Sequence, residues 1–385
     1  MNVNVKSLSK HGIGCFFGKK FLMIVSLLFM LTLFSSLVVS GVNGYFFTDE
    51  PPVVVETEAE LVTAINTSPD EEYTIVISKD IMLEKSLEIP DGKRIILIGN
   101  VSDICLVGTD GFDTIIVKSG GYLRMVGYIV VTHAKGDTGR GIYVERGGTC
   151  ILQSTTVSGN RADNGGGVYN EGTFELRQAD DSLGLIANNV ATLGGGVYNK
   201  GTFRVFGGCI KDNVATLGGG VYNAKRSLFD MTRSEITFNK ATDKGGGVYN
   251  LGVLDMKSGC IDRNSADKGG GVYNLGTFNM AKSYGLYDRM MPRGCSIGFN
   301  TATLAGGVYN AGTFDMPEGA PIYSNTALSG ESVNVVNETL GEWQLYLLVI
   351  TVALVGIVAG LFFYRSKRQK QLIVKNGLGG VDEGV

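Results

Sequence analysis

Between residues 165 and 310 apolar and polar positions recur with a short, nearly constant period. Three glycines followed by Val-Tyr-Asn are written six times, ending at Asn170, Asn199, Asn223, Asn250, Asn274 and Asn310, with Ala305 opening the last copy. The closest copies, at Val197 and Val221, are 24 residues apart. Three apolar columns run through the repeat. The first is Val168, Val197, Val221, Val248, Val272 and Val308; the second is Phe174, Phe203, Phe229, Leu254, Phe278 and Phe314. The third sits three residues before an asparagine, as Val157, Ile186, Ile210, Ile236, Ile261, Ile297 and Ile322. Around each anchor the pattern alternates with period two, which predicts short strands. Turns this close leave no room for a long helix. Each repeat is therefore expected to hold about three short strands and three turns, with Val, Phe and Ile pointing inward.

A single such coil cannot bury its apolar face, but stacked coils about 4.8 Å apart can. The predicted fold is all-β, a single-stranded right-handed parallel β-helix solenoid. Gly141-Ile142-Tyr143-Val144 reads as a degenerate copy before the array and Ser332-Val333-Asn334 as one after it. Upstream, Tyr73–Ile77, Leu87–Ile89 and Arg94–Ile98 alternate like strands, and Glu58–Asn66 has helical spacing suited to capping the open end.

Two asparagine columns accompany the apolar ones, one after each tyrosine and one at Asn160, Asn189, Asn213, Asn239, Asn264, Asn300 and Asn325. Asn tolerates left-handed turns, and stacked amides can bond from coil to coil. The glycine triplets supply positive φ and close backbone approach. They are not a dinucleotide fingerprint, because no helix follows and the last position is Asn. No Asp follows them at the spacing of a calcium-binding nonapeptide repeat.

The opening Val-Glu-Thr-Glu-Ala-Glu-Leu-Val-Thr-Ala-Ile, with Tyr-Thr-Ile-Val-Ile and Leu-Glu-Ile-Pro-Asp-Gly-Lys after it, resembles the start of pectin-lyase-like β-helix domains. The Gly-Gly-Gly-Val-Tyr-Asn and Asn-x-Ala units resemble those of prokaryotic, archaeal-type adhesin-like surface proteins. The resemblance covers about residues 53–337 and is faintly shared with the repeats of polymorphic outer-membrane proteins. It implies a β-helix and leaves function open, since such folds serve lyases, hydrolases and non-catalytic surface proteins alike.

The ends add a location. Lys19-Lys20 precede an apolar run from Phe21 to Val39, the pattern of a secretory signal or an uncleaved anchor. Leu345–Tyr364 carries no charge over a membrane-spanning length, and Arg365, Lys367, Arg368 and Lys370 follow at once. The positive-inside rule then puts the tail in the cytoplasm and the repeats outside a plasma membrane crossed once. The expected organisation is a signal at 1–44 and an ectodomain at 45–337 with regular repeats over about 141–335. A linker at 338–344, a transmembrane helix at 345–364 and a tail at 365–385 complete it. Three sequons, at Asn66, Asn100 and Asn337, would face outward. With 34 basic against 37 acidic residues and 56 glycines, the composition suits a rigid solenoid and gives no sign of nucleic-acid binding.

Candidate chemistry is sparse. Outside the signal region His133 is the only histidine and is expected to be structural, and no Cys/His cluster suggests a metal or cofactor. Cys209 and Cys260 share a column two coils apart, too far for a disulfide. Cys260 and Cys295 lie in adjacent coils, where either a bridge or free thiols fit. Glu175, Arg204, Asp230, Asp255, Asn279 and Asp315 form an outward column in which Asp230 and Asp255 are the one neighbouring carboxylate pair, the weak catalytic candidate. Asp110, Asp113 and Asp137 form a looser acidic group. The tyrosines beside the inward valines (Tyr143, Tyr169, Tyr198, Tyr222, Tyr249, Tyr273 and Tyr309) should form an outward stripe about 29 Å long, able to bind a sugar chain or simply to stack and shield the glycine corner. Two coils are expanded at one corner, around Gln178–Gly184 and Ala281–Pro292, and the second carries Tyr284, Tyr287 and Arg289. The reading is a surface binder of polysaccharide or of another cell surface, with a polysaccharide lyase or glycoside hydrolase and a passive envelope spacer as alternatives.

Overall fold

The computed structural model describes residues 52–100, 103–179, 182–281, 294–318, 320–328 and 335–337. The expected signal, linker, transmembrane helix and tail lie outside these residues. So do Tyr284, Tyr287 and Arg289. Among the described residues no helix is long and apolar enough to cross a membrane.

The chain winds into a parallel β-solenoid of about ten turns. Among the described residues the strands pair in parallel with their equivalents in neighbouring coils, giving sheets of eleven, ten, ten and seven strands. The phenylalanine sheet runs through Thr173–Arg177, Thr202–Phe206 and Leu228–Thr232; the isoleucine sheet through Gly184–Ala187, Gly208–Lys211 and Ser234–Thr237. The tyrosine sheet runs through Val168–Asn170, Val197–Asn199 and Val221–Asn223.

The fourth sheet, seven strands from Arg161–Asn164 to Thr326–Ala327, corrects the expectation of three strands per repeat. It lies where the sequence shows Asn-x-Ala. Its inward residue is alanine, fully enclosed at Ala215, Ala241 and Ala302. A methyl group fills the narrow space beside the asparagine corner but leaves almost no hydrophobic signal.

The three predicted columns form the core. Val168 to Val308, Ile186 to Ile297, and Phe174, Phe203, Phe229, Leu254 and Phe278 are all closed to solvent in one continuous cluster. Phe174, Phe203 and Phe229 stack in sequence at 5.3 and 4.8 Å; Leu254 interrupts before Phe278 stacks on Phe314 at 4.6 Å. At the N-terminal end the helix Glu58–Thr67 adds Leu61, Ala64 and Ile65 to this core. A capping box fixes its start: Glu60 N–H donates to Thr57 Oγ1, and Thr57 N–H to the Glu60 carboxylate.

Both asparagine columns are hydrogen-bonded ladders. Asn213 Nδ2 donates to Asn239 Oδ1 in the next coil and to Ile186 O in the previous one, both at 3.0 Å. Its Oδ1 accepts from the N–H and Nδ2 of Asn189. The second ladder runs from Asn170 through Asn199, Asn223, Asn250, Asn274 and Asn310 to Asn337, each Nδ2 donating to the next Oδ1 at 2.7–3.0 Å. Asn337 corrects the expected last copy: Val308-Tyr309-Asn310 pairs with Val335-Val336-Asn337, not with Ser332–Asn334.

The glycine triplets do two jobs. Gly194 sits at φ +64°, and its counterpart Ala305 adopts +58°. Gly196 is needed for proximity: a Cβ there would meet Gly220 O at 2.7 Å.

Phe278 is fully buried, whereas Asn279 points outward to donate to Asp255 at 2.7 Å. Phe278→Ala is expected to cost about 3–5 kcal/mol and Asn279→Ala under about 1 kcal/mol. Denaturant unfolding of both variants checks this, and equal losses would contradict the inward assignment.

Candidate functional site

Alternation along each Val-Tyr-Asn strand sends valine into the core, asparagine into its ladder and tyrosine outward. From Tyr169 to Tyr309 successive rings lie 4.8–5.3 Å apart and within 12° of parallel. Tyr143 meets Tyr169 edge-on, at 74°. The predicted stripe therefore exists, but its ring faces are spent on each other. What reaches the surface is ring edges and hydroxyls. Tyr249, Tyr273 and Tyr309 are nearly closed off, in an external cluster with Ala305 that Leu217, Leu251, Leu304 and Val336 flank.

The N-terminal end of the stripe is polar. Tyr143 and Tyr169 donate to the two oxygens of Glu171 at 3.1 and 3.3 Å, and Lys200 reaches both Glu171 and the Tyr169 hydroxyl at 2.9 Å. The Arg140 guanidinium lies 4.5 Å over the Tyr169 ring. Burial pushes the Tyr222 phenol up to about 12; burial and then the Glu171 hydrogen bond do the same to Tyr143. Burial also raises Tyr198 and Tyr249.

The outer face of the phenylalanine sheet holds the predicted charged column in register: Glu175, Arg204, Asp230, Asp255, Asn279, Asp315. Asp230 and Asp255 are neighbours, as expected, but both are engaged. Asp230 is buried and pairs with Lys257 through Oδ2, leaving Oδ1 without a partner. Asp255 accepts from Asn279. Glu175 is held between Arg177 and Arg204.

The remaining candidates resolve individually. Cys295 points into the core, its thiol 2.9 Å from Met256 O, while Cys260 faces outward toward Asp262. Their registers are offset by one residue, so the bridge is excluded and the thiols are free. Burial, reinforced by Glu235, pushes the Cys209 thiol up to about 12, far from a nucleophile's range. Asp110 and Asp113 accept from Thr138 and Arg140 and serve as turn staples. His133 stands at the N-terminal end of the first ladder, Nδ1 2.8 Å from Asn160 Oδ1 and Nε2 2.9 Å from Phe112 O. Among the described residues no cluster of His, Cys, Asp and Glu could hold a metal ion. Asn66 is exposed within the helix, Asn100 is exposed at a strand end, and Asn337 is exposed while accepting from Asn310. The insert around Gln178–Gly184 closes through paired backbone bonds between Ala179 and Ser182, which Ser154 also bonds.

One column escaped the sequence reading. The residue before each ladder asparagine lies in the left-handed region, and the chain places Gly159, Asn188, Asp212, Phe238, Arg263, Phe299 and Ser324 there. Gly, Asn and Asp suit that geometry; Phe and Arg do not. Phe238 and Phe299 are about half exposed, with the Arg263 guanidinium 5.6 and 5.4 Å from their ring centres. The signal was readable as two aromatics where neighbouring coils carry turn formers.

Comparison of the chain with protein-family models, with curated proteins and with solved structures finds no match.

The tyrosine stripe predicts an alkaline transition. Phenols raised in the folded state hold their protons when the unfolded chain, titrating near 10, has lost them. Their stabilisation is full below pH 10 and is lost as pH rises toward 12. Absorbance at the tyrosinate band and circular dichroism, followed together, should show stability falling over that window and most column tyrosines ionising only on unfolding. Free ionisation near pH 10 with the fold intact would contradict the packed stripe.

Proposed function

We propose that this chain is a membrane-anchored, surface-displayed right-handed β-helix of the adhesin-like kind, binding polysaccharide or another cell surface. One observation carries binding over catalysis: Asp230 and Asp255, the neighbouring carboxylates of the phenylalanine sheet, already have a cation and an amide as partners, and Glu175 lies between two guanidinium groups. Acid–base cleavage of a glycan needs one carboxyl to give a proton and another group to take one. A recognition surface needs only rigid groups at fixed spacing, which a stacked solenoid supplies. The ligand-facing candidates are the edges and hydroxyls of Tyr169, Tyr198, Tyr222, Tyr249, Tyr273 and Tyr309, and the insert with Tyr284, Tyr287 and Arg289.

An array of polysaccharides probed with the purified protein, alongside a lyase and hydrolase assay on uronic-acid polymers, separates the readings. Binding without turnover is expected, and deletion of Ala281–Pro292 should weaken it at least tenfold, about 1.4 kcal/mol. Turnover that Asp230→Asn and Asp255→Asn abolish would establish the enzyme instead; neither binding nor turnover would favour a spacer.

The proposed topology has its own test. Protease added to intact cells should remove the repeats and spare an epitope tag placed after Val385. Digestion of that tag from outside would overturn the orientation.

A further inference from the structure

The outer face of the isoleucine sheet has a feature that neither the tyrosine stripe nor the charged column explains. A groove of about 600 Å³ runs over four consecutive coils, from Thr156 past Leu185 and Cys209 to Glu235. It is an open trough, and three coil spacings make it about 14 Å long. Leu183 and Leu185 supply apolar surface, and Phe238, Lys211 and Asp212 stand along the far side. The Phe238 ring is buttressed from the following coil by Arg263.

Two properties of the lining bear on a ligand. Phe238 holds φ +57° while its ring is 54% exposed. A bulky residue there carries backbone strain of about 1–2 kcal/mol, where Asn188, two coils earlier, meets the same turn at less cost. Arg263 at φ +54° and Phe299 at φ +56° meet the same turn outside the groove, so the strained backbone belongs to the corner, and what the groove adds is an exposed aromatic beside Glu235 and Asp212. Thr237 is the second. It is 7% exposed, and its hydroxyl, at the base of the groove, makes no hydrogen bond. Its register neighbours are Lys211, with a side chain 41% exposed and 4.0 Å from Asp212 Oδ2, and Asp262.

We propose that this groove binds a short, uncharged oligosaccharide. The proposal rests on the reading of the protein as a polysaccharide binder and names its site. A pyranose offers an apolar C–H face and a rim of hydroxyls. The C–H face fits Phe238 and the two leucines. The rim fits Glu235 and Asp212 as acceptors and Lys211 as donor, with Thr237 as a further partner. Two carboxylates against one ammonium make the groove net negative, which disfavours uronates and other acidic sugars. Cys209 stays a protonated thiol there.

The test uses the full chain in detergent and labelled tetrasaccharides of neutral hexoses, N-acetylhexosamines and uronates. Phe238→Asn, Glu235→Gln and Thr237→Val should each leave the melting temperature unchanged or higher, because each relieves strain, repulsion or an unpartnered hydroxyl. Affinity for a neutral tetrasaccharide should fall at least tenfold for Phe238→Asn and Glu235→Gln and severalfold for Thr237→Val. If the protein binds neutral sugars and all three variants bind equally well, the groove is wrong while the binder reading stands. Preference for uronates overturns the ligand class. Failure of the unaltered protein to bind any of the three classes overturns the groove and the polysaccharide reading together.

Discussion

The parallel backbone hydrogen bond between coils is the constraint from which the rest follows. It sets one repeat distance along the axis, about 4.8 Å, and every side chain must accept that spacing. A flat ring fits it, so phenylalanines stack inside and tyrosines outside. A primary amide fits it as well, because its donor and acceptor can each reach a neighbouring coil, and two amide ladders result. Groups matching the spacing gain twice, once from burial and once from an identical neighbour. The near-identity of the repeats expresses that match.

The same constraint limits what the outer faces can offer. Rings at the stacking distance consume one another's faces, which turns a conspicuous aromatic stripe into packing material. Charges in register are drawn into short ion pairs, as Glu175 is with Arg204. Surface capable of recognition is then left where coils differ: at corners that break the column rule and at inserts. Phe238 and Arg263 are departures of that kind.

The sequence disclosed those elements whose inward residue is large and repeated. Val, Phe and Ile, in phase with Asn, gave the core, the solenoid and both ladders, and the helical spacing of Glu58–Asn66 marked the helix that joins the first coil. Elements built on small residues were hidden: the fourth sheet turns inward only an alanine such as Ala215. Offsets of one residue misled, since Cys295 sits one place from Cys260 in register and so faces the other side of its sheet. The last copy misled because Ser332–Asn334 imitates the motif, whereas it is Asn337 that receives the Asn310 amide. For the candidate site, the direction of the tyrosines was legible but their accessibility was not. Accessibility depends on ring orientation, which period and spacing leave undetermined.

The ladders also have a sense. Along each ladder one amide proton goes to the oxygen of the C-terminal neighbour, from Asn170 through to Asn337 in the second. One coil is therefore interchangeable with the next, and a whole coil can be gained or lost with both chains of amides rejoined unchanged. A gain of one residue turns the rest of its strand to the other face unless a bulge takes it up, as where Ala215–Leu217 faces Ala241–Lys244. The molecule behaves as a ruler graduated in coils: its reach can be lengthened or shortened in fixed steps while the cap at one end and whatever follows the other remain as they were.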